Sequence, residues 1–353
     1  MSVFDNPAFD AHERVQFCHD PESGLHALIA IHSTALGPAA GGARMWQYAT
    51  EADAITDVLR LSQGMSYKNA MAGLKLGGGK AVILKSADFV ESDALFEAFG
   101  SFVEQMGGAY VTAEDVGMRV DIMEIIARRT RYVTGLPQQA GQAGGDPSPK
   151  TSWGIFKGIE AAVRFKLNHD SVDGLRVAVQ GVGNVGYHLC RYLHEAGAKL
   201  VVADIDEARV ARAVSEFDAT AESLDSILYA DVDVVAPCAL GAILNADSIE
   251  RLSTPIVAGG ANNQLATHDD GQRLFDADIL YAPDYVINAG GIINVASEYY
   301  GDADDDEVVR RVTAIGDRLT GIFEEASASG RPTNVVADEQ ARRIIAEAAS
   351  AAD

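Results

Sequence analysis

A glycine-rich segment in the middle of the chain constrains the fold more than any other feature. Residues 177–186 read VAVQGVGNVG, an apolar run that leads into Gly181, Gly183 and Gly186, and the stretch YHLCRYLHEAG that follows is amphipathic. In this pattern the first glycine permits a tight turn, the second lets the backbone approach a pyrophosphate, and the third lets helix and strand pack closely. The segment therefore predicts a strand, a turn and a helix whose N-terminus faces phosphate groups.

An acidic residue in the next apolar run, LVVADID, strengthens this prediction. Asp204 follows the glycines at about the 20-residue spacing at which a carboxylate accepts hydrogen bonds from the ribose hydroxyls of a dinucleotide. A carboxylate there disfavours the 2′-phosphate of NADP, and neither Ile205 nor Asp206 supplies a compensating arginine. A glycine turn with only a structural task would not require this acid. The sequence thus predicts an NAD site formed by Gly181, Gly183, Asn184, Val185, Gly186 and Asp204.

The apolar runs predict two α/β domains within the 353 residues. Beyond residue 139, short apolar runs alternate with helical stretches, as in a doubly wound parallel sheet. We assign 139–329 to a Rossmann-type dinucleotide-binding domain, and 1–138 with about 330–353 to a substrate and oligomerisation domain. We expect a cleft between them. The segment 138–150, rich in Gly, Pro and Gln, is interpreted as the linker.

The first domain is predicted to alternate strands and helices as well. Strands are expected at 25–32, 80–85 and 109–113, with an amphipathic helix after the first. The intervening segment GPAAGGARM, residues 37–45, contains three glycines and a proline and is interpreted as a turn.

Charge and cysteine content exclude several classes of partner. The net charge of -23 argues against nucleic acid and anionic membranes, which are bound through Lys and Arg. The three cysteines form no CxxC motif, and the eight histidines show no HExxH spacing, so we predict neither a disulfide framework nor a metal site. No signal-like or membrane-spanning segment is recognised. We expect a cytoplasmic enzyme that acts on a small molecule.

Lysines cluster in the first domain. Four of the eight lysines of the chain lie between residues 68 and 85, in and around the run LSQGMSYKNAMAGLKLGGGKAVI. A lysine can lose its proton when it is desolvated near another cation, whereas an arginine cannot. The cluster is compatible with an acid/base site, and on spacing alone a solvated lysine-rich face explains it equally well.

Several segments together carry a family resemblance. GLKLGGGKAVI, TAEDVG, DPSPKT, VAVQGVGNVG, APCALG, AGGANNQL and YAPDYVINAGGIINV occur in order between about residues 25 and 300. The chain resembles the glutamate/leucine/phenylalanine/valine dehydrogenase family, and its leucine dehydrogenase branch most closely. The resemblance implies an oxidoreductase that deaminates an L-amino acid to its 2-oxo acid with NAD, in either direction, and that assembles as a homo-oligomer.

The resemblance also assigns roles to individual residues. It implies that Lys80 is the catalytic base, that Asp115 is its acid/base partner, and that Lys68 binds the substrate carboxylate. Asn262 would hold the substrate amino group, with Asn263 as an open alternative. It further implies that Thr151 contacts the nicotinamide carboxamide, and a role as a helix N-cap is the alternative for this threonine.

The substrate pocket implied by the resemblance is apolar. It would be formed by Ala40, Gly42, Met65, Ala113, Ile292 and Val295. Glutamate-specific relatives carry a lysine and a serine at the positions of Ala40 and Val295, and without them a buried side-chain carboxylate would be unpaired. Leucine, valine or isoleucine is therefore the expected substrate. Phenylalanine or another aromatic amino acid is the main alternative because Ala40 enlarges the pocket, and a catalytically silent NAD-binding regulator is a remote one.

Overall fold

The computed structural model describes residues 3–86, 88–137 and 144–352. Contacts within the chain divide it into two units. The first comprises Met1–Gly145, Val295–Asp305 and Ala341–Asp353, and the second comprises Asp146–Asn294 and Asp306–Gln340. This division places 295–305 in the first unit and 330–340 in the second, whereas the sequence prediction assigns them the other way round. Residues 138–143 of the predicted linker lie outside the described residues.

The first unit contains a mixed five-stranded sheet in the order β1-β2-β4-β3-β5. The pairs β1-β2 and β2-β4 are antiparallel, and β3 is parallel to both β4 and β5. The elements that belong wholly to this unit are β1 Arg14–Asp20, β2 Leu25–Ser33, β3 Ala39–Trp46, α1 Glu51–Met71, β4 Gly77–Leu84, α2 Asp93–Gln105, β5 Tyr110–Glu114 and α3 Val120–Ala127.

Two hydrophobic clusters hold this sheet between its helices. On one face, Val58 and Leu59 of α1 are buried with Leu28 of β2 and Val82 of β4. On the other face, the buried cluster includes residues of α2 and α3 together with Ile29 and Ile83. Alternate residues of each strand point to opposite faces, so Lys80, two residues before Val82, lies on the face that α1 covers.

The sequence predicted a turn for the glycine-rich segment 37–45. In the structure this segment contributes most of strand β3. A Cβ on Gly41 would overlap the carbonyl oxygen of Gly79 in β4, and one on Gly42 would overlap the carbonyl oxygen of Glu114 in β5. Glycine in a strand marks a close approach of neighbouring backbone. The glycines of this segment therefore serve strand packing, and reading them as turn formers was wrong.

The second unit contains a parallel six-stranded sheet in the order β11-β10-β9-β6-β7-β8. This is the strand order of a Rossmann fold, which the sequence predicted; the short strand β8 was not predicted. The remaining elements are α4 Ser148–Leu167, β6 Arg176–Gln180, α5 Asn184–Glu195, β7 Lys199–Ala203, α6 Glu207–Phe217, β8 Thr220–Ala221, β9 Val234–Pro237, α7 Ala246–Glu250, β10 Ile256–Val257, α8 Asp270–Asp276, β11 Leu280–Tyr281, α9 Asp284–Ile287, α10 Gly290–Tyr300, α11 Asp305–Thr313, α12 Ile315–Ser329 and α13 Thr333–Ala352.

Strands β6 and β9 are neighbours at the centre of this sheet, where the strand order reverses. Ligands of open α/β sheets bind beyond the carboxyl ends of the strands at such a point. The loop after β6 is the glycine-rich segment, so the fold brings the predicted dinucleotide site to this position. Among the described residues, no helix combines the length and the apolar character needed to cross a bilayer.

Gly78 should be essential for the packing of α1 on the sheet. A Cβ at Gly78 would overlap the backbone nitrogen of Ser66 in α1, so Gly78→Ala forces helix and strand apart. We expect a loss of about 1 to 3 kcal/mol in unfolding free energy, measured by urea denaturation, as for other overpacked sites.

Gly64→Ala is the matched control on the same helix. A Cβ at Gly64 meets nothing within 4 Å, and alanine is favoured over glycine inside helices by about 0.8 to 1 kcal/mol. This variant should keep or increase stability. Equal urea midpoints for the two variants would contradict the assignment of Gly78 as a close-packing position.

Candidate functional site

Lys80 occupies the middle of β4 and is buried, with 6% of its surface exposed. Its neighbour in β2 is Ala30, which supplies no charge. A lysine is rarely buried to this degree unless its ammonium group is paired. The pairing partner of this lysine is therefore decisive for its chemistry.

The partner of Lys80 is Asp115, which directly follows strand β5. Lys80 Nζ lies 2.9 Å from Asp115 Oδ2. The same carboxylate oxygen accepts a hydrogen bond of 3.0 Å from Nε of Arg44 in β3. Two cationic side chains thus converge on one oxygen atom. The sequence prediction paired Lys80 with Asp115 and missed Arg44.

Arg44 extends the array to the start of α1. Its Nη1 lies 3.0 Å from Asp57 Oδ2, and that oxygen also accepts a 2.7 Å hydrogen bond from the hydroxyl of Tyr48. The chain of contacts runs Lys80, Asp115, Arg44, Asp57, Tyr48 and spans β4, β5, β3 and α1. No sequence motif joins these residues, and a single basic residue within the small-residue segment GPAAGGARM was the sequence signal for Arg44.

The surroundings set the proton affinities of the pair. Burial lowers the pKa of Lys80, and the nearby charge of Arg44 lowers it further, against the opposing effect of Asp115. Burial alone would raise the pKa of Asp115, but the cations Lys80 and Arg44 outweigh it and hold this pKa below its usual range. The site therefore favours an ionised aspartate beside a lysine that releases its proton more easily than a free lysine.

Small residues surround Lys80 within the sheet. Gly42 in β3 pairs with Ala113 in β5, and a Cβ on Gly42 would lie 2.9 Å from the Cβ of Asp115. Ala40 is buried in a cluster with Leu76, Val111 and Ala296. Three predicted pocket residues, Ala40, Gly42 and Ala113, therefore lie on strands adjacent to or near Lys80 and leave space there.

Four other predicted substrate residues lie on α1 and α10. Lys68 and Met65 are half-buried on α1, and the Cγ of Met65 lies 3.0 Å from the position of a Cβ on Gly41. Val295 is half-buried and belongs to the first unit, as does Ala296, which packs against Ala40. Ile292 is buried and belongs to the second unit.

In the second unit, the glycine-rich loop has the geometry of a phosphate cradle. Gly181 adopts a φ of +92°, a conformation open to glycine, and a Cβ at Gly186 would overlap the carbonyl oxygen of Gly181. Helix α5 begins at Asn184, after Gly183, with no side chain bonded to its first N–H groups. An uncapped helix start of this kind can bind an anion through the backbone.

Asp204 is held in place beside this loop. Its Oδ2 accepts a 2.7 Å hydrogen bond from the Val182 N–H, and its Oδ1 accepts one of 2.9 Å from the Asp206 N–H. Arg209 of α6, missed in the sequence analysis, places Nη1 3.9 Å from Asp204 Oδ1 and 3.5 Å from the position of a Cβ on Gly183. A guanidinium group thus lies close to both the carboxylate and the glycine-rich loop.

Thr151 and Asn262 lie in the second unit as well. Helix α4 begins at Ser148 after Pro147, so Thr151 is inside the first turn, where its hydroxyl donates to the Pro147 carbonyl at 3.0 Å. The alternative role of Thr151 as the helix N-cap is therefore wrong. Asn262 is exposed, and its Oδ1 accepts a 2.8 Å hydrogen bond from Nδ2 of the buried Asn288.

Asn263, the alternative to Asn262, is also exposed. It has a φ of +52° and binds the Ala242 N–H through its carbonyl oxygen. Within the described ranges, no group of three or more His, Cys, Asp or Glu side chains has the arrangement of a metal site.

Two family models match the chain. Residues 12–132 match the dimerisation domain of Glu/Leu/Phe/Val dehydrogenases. Residues 146–212 and 202–351 match the model described as glutamate/leucine/phenylalanine/valine dehydrogenase. The two matches together cover most of the chain.

Curated relatives and solved structures agree with these models. A leucine dehydrogenase of Geobacillus stearothermophilus is 49% identical, over 98% of this chain and 94% of the relative. A valine dehydrogenase of Streptomyces virginiae is 46% identical, over 96% and 94%. The crystal structure of L-tryptophan dehydrogenase from Nostoc punctiforme superposes with a TM-score of 0.85 at 43% identity, covering 96% of this chain and 97% of that one.

Removal of the shared carboxylate should destabilise the first unit. Asp115→Asn leaves Lys80 and Arg44 buried without their common counter-charge, and breaking a buried pair costs about 3 to 5 kcal/mol. We expect this loss in unfolding free energy at neutral pH, measured by urea denaturation. The loss should shrink as the pH rises, because Lys80 then sheds its proton and the repulsion between the two cations disappears.

Asp121→Asn is the control for this prediction. Asp121 is an exposed carboxylate that pairs with Arg119 at 3.1 Å, and exposed pairs contribute little. Its replacement should leave the urea midpoint unchanged. If Asp115→Asn is as stable as Asp121→Asn at neutral pH, the Lys80–Asp115 pair does not contribute to the stability of the first unit.

Proposed function

Because the chain belongs to the glutamate/leucine/phenylalanine/valine dehydrogenase family and is an amino-acid dehydrogenase, we propose that it oxidatively deaminates apolar L-amino acids with NAD. The observation that carries the proposal is the buried Lys80 beside Asp115 in the first unit. The second unit contributes a glycine-rich loop and an acid of the kind that binds a dinucleotide. The overall reaction consumes the amino acid, NAD⁺ and water and releases a 2-oxo acid, ammonium, NADH and a proton.

The residues of the second unit fit NAD. Gly183 and the uncapped start of α5 leave space and N–H donors for a pyrophosphate, with Asn184, Val185 and Gly186 in the first turn. Asp204 is oriented by two backbone N–H groups and would accept hydrogen bonds from the adenosine ribose. The Thr151 hydroxyl would contact the carboxamide of the nicotinamide. When bound, the nicotinamide accepts a hydride from the substrate Cα.

The side chains of the first unit would then handle protons. Lys68 would bind the substrate carboxylate as an ammonium ion. Lys80, in its neutral form, would take a proton from the water that attacks the iminium carbon of the oxidised substrate, which gives a carbinolamine. Asp115 would relay the proton taken up by Lys80 to the departing amino group, which Asn262 is expected to hold. Collapse of the carbinolamine then breaks the C–N bond and releases ammonia, and the hydroxyl proton returns to the neutral Lys80, which leaves the 2-oxo acid.

The side-chain pocket would favour apolar substrates. Ala40, Gly42, Ala113 and Met65 offer no charged group, and neither do Val295 and Ile292, the other two predicted pocket residues. A glutamate side chain would bury its carboxylate without a partner there, at a cost of several kcal/mol. Aliphatic substrates that differ by one methylene should differ by about 1 to 3 kcal/mol.

An aromatic amino acid is the second candidate substrate. A relative named L-tryptophan dehydrogenase is 44% identical to this chain, and its solved structure is also similar. Ala40 and Ala113 are small residues on β3 and β5, the two strands that follow β4 in the sheet, which would leave room for a ring. We further propose that the chain forms a homo-oligomer through its first unit, since the family model that matches there is described as a dimerisation domain.

The central test is a panel of L-amino acids with NAD, followed by the absorbance of NADH, on the wild type and on Lys80→Ala. We expect turnover of leucine, isoleucine and valine, little turnover of glutamate, and a loss of at least about 100-fold in kcat for Lys80→Ala, in line with general acid-base catalysis. Lys75→Ala, which removes an exposed lysine of the same segment, should keep full activity. Undiminished turnover by Lys80→Ala, or glutamate as the best substrate, would refute the proposal, whereas a preference for aromatic substrates would select the second candidate.

Cofactor preference should depend on Asp204. Asp204→Ser removes the carboxylate that opposes a 2′-phosphate and leaves Arg209 nearby, so the ratio of kcat/KM for NAD to that for NADP should fall by about 100-fold or more. Steady-state kinetics with both cofactors measures this ratio. Adding Arg209→Gln should remove the gain with NADP. A ratio unaffected by Asp204→Ser would show that the ribose is bound elsewhere.

A further inference from the structure

Arg44 is placed where it acts on the reactive lysine without touching it. Its Nε and the Nζ of Lys80 lie 3.0 and 2.9 Å from the same atom, Asp115 Oδ2. The side chains of Arg44 and Asp115 are 22% and 20% exposed, and that of Lys80 is 7% exposed. Charges that are this well removed from water interact more strongly than charges on a surface.

The guanidinium group is also held from its other end. Nη1 of Arg44 bonds Asp57 Oδ2 at 3.0 Å, and Tyr48 donates to that oxygen at 2.7 Å. Arginine can bridge two carboxylates because its donors form a rigid planar fork, which a lysine lacks. The two anchors at Asp57 and Asp115 therefore fix the position of a permanent positive charge beside Lys80.

We propose that Arg44 is a positioning residue of the reaction, which shares the Asp115 carboxylate with Lys80 and thereby keeps Lys80 in its neutral, reactive form. The inference rests on the proposed function, in which Lys80 is the base. Without Arg44, the Asp115 carboxylate would interact with Lys80 alone and would stabilise its ammonium form. With Arg44, the carboxylate is already neutralised, and a second cation beside it is disfavoured.

Each charged group around the pair either raises or lowers the pKa of Lys80. Burial lowers the pKa of Lys80 most, Arg44 lowers it as well, and Asp115 and Asp57 raise it. Strand β2 contributes the uncharged Ala30 opposite Lys80. Helix α1 carries five charged side chains. Asp57 and Lys68 are half-buried, and Glu51, Asp53 and Arg60 are exposed.

These directions distinguish the proposal from a purely structural role. Arg44→Gln removes the positive charge and should raise the pKa of Lys80, so that the base loses its proton only at higher pH. Asp57→Asn removes a negative charge from the far end of the same array and should lower the pKa of Lys80. Loosening of the fold would affect both variants in one direction, whereas the electrostatic role requires opposite directions.

The experiment is the pH dependence of kcat/KM for L-leucine with saturating NAD. The acidic limb of this profile reports the protonation of the base in the enzyme–NAD complex that binds leucine, and it belongs to the coupled Lys80–Asp115 pair. For Arg44→Gln we expect the limb to move to higher pH, with activity on the acidic side down by about tenfold, the effect of one pKa unit, and restored at high pH. Asp57→Asn should move the limb to lower pH, and Arg44→Lys, which keeps the charge but loses the fork, should move it to higher pH by less than Arg44→Gln does.

Two controls separate charge from structure. Tyr48→Phe removes a hydrogen bond from Asp57 without changing a charge, so it should leave the limb in place even if it lowers the thermal midpoint. Arg119→Gln removes an exposed arginine that pairs with Glu91 and Asp121, and its profile should match the wild type. Thermal unfolding of each variant reports whether it folds. If Arg44→Gln does not fold, the pH profile of Asp57→Asn still tests the proposal.

The outcomes distinguish this inference from the proposed function. If Lys80→Ala is inactive but the limbs of Arg44→Gln and Asp57→Asn coincide with that of the wild type, or move in the same direction, Arg44 has no electrostatic role and the proposed function stands. If Lys80→Ala is fully active, the proposed function itself fails. Limbs displaced in opposite directions, together with an unmoved limb for Tyr48→Phe, support the positioning role.

Discussion

The first unit is organised around the burial of one lysine beside one aspartate. Taking two charges out of water costs several kcal/mol for each ion, so Lys80 and Asp115 can be tolerated only where partners and space are arranged for them. Arg44 supplies a second cation for the carboxylate. Glycine and alanine in the adjoining strands leave room around the pair, and Gly78 lets α1 pack directly on β4 at Ser66. The glycines around the site are thus a condition for burying this pair.

The second unit uses glycine for a similar physical purpose with a different result. At Gly181, Gly183 and Gly186 the absence of a side chain allows a tight turn, access to the start of α5 and close packing of the loop on itself. An acidic side chain, Asp204, is again oriented by neighbouring donors. In both units, backbone without side chains brings polar groups to positions that bulkier residues would block.

Sequence reasoning failed where a local rule conflicted with a long-range constraint. The glycines of residues 37–45 satisfy every local criterion for a turn, yet they form a strand because β4 and β5 approach β3 closely on both sides. The same error concealed Arg44, since a residue assigned to a turn is expected to be solvated. Arg209 was missed for a related reason, because the helical turn of α6 carries it back toward Asp204, beyond the two residues that the sequence analysis considered.

The sequence by itself determined the features that depend on neighbours along the chain. The strand, the glycine turn and the start of the helix are contiguous in residues 177–186. The apolar runs of the second unit alternate with helical stretches, as in a parallel sheet. Tertiary structure alone decided that Arg44 and Asp57 join the Lys80–Asp115 pair. These residues come from separate strands and a helix, and only the register of the sheet and the packing of α1 bring their charges within hydrogen-bonding distance.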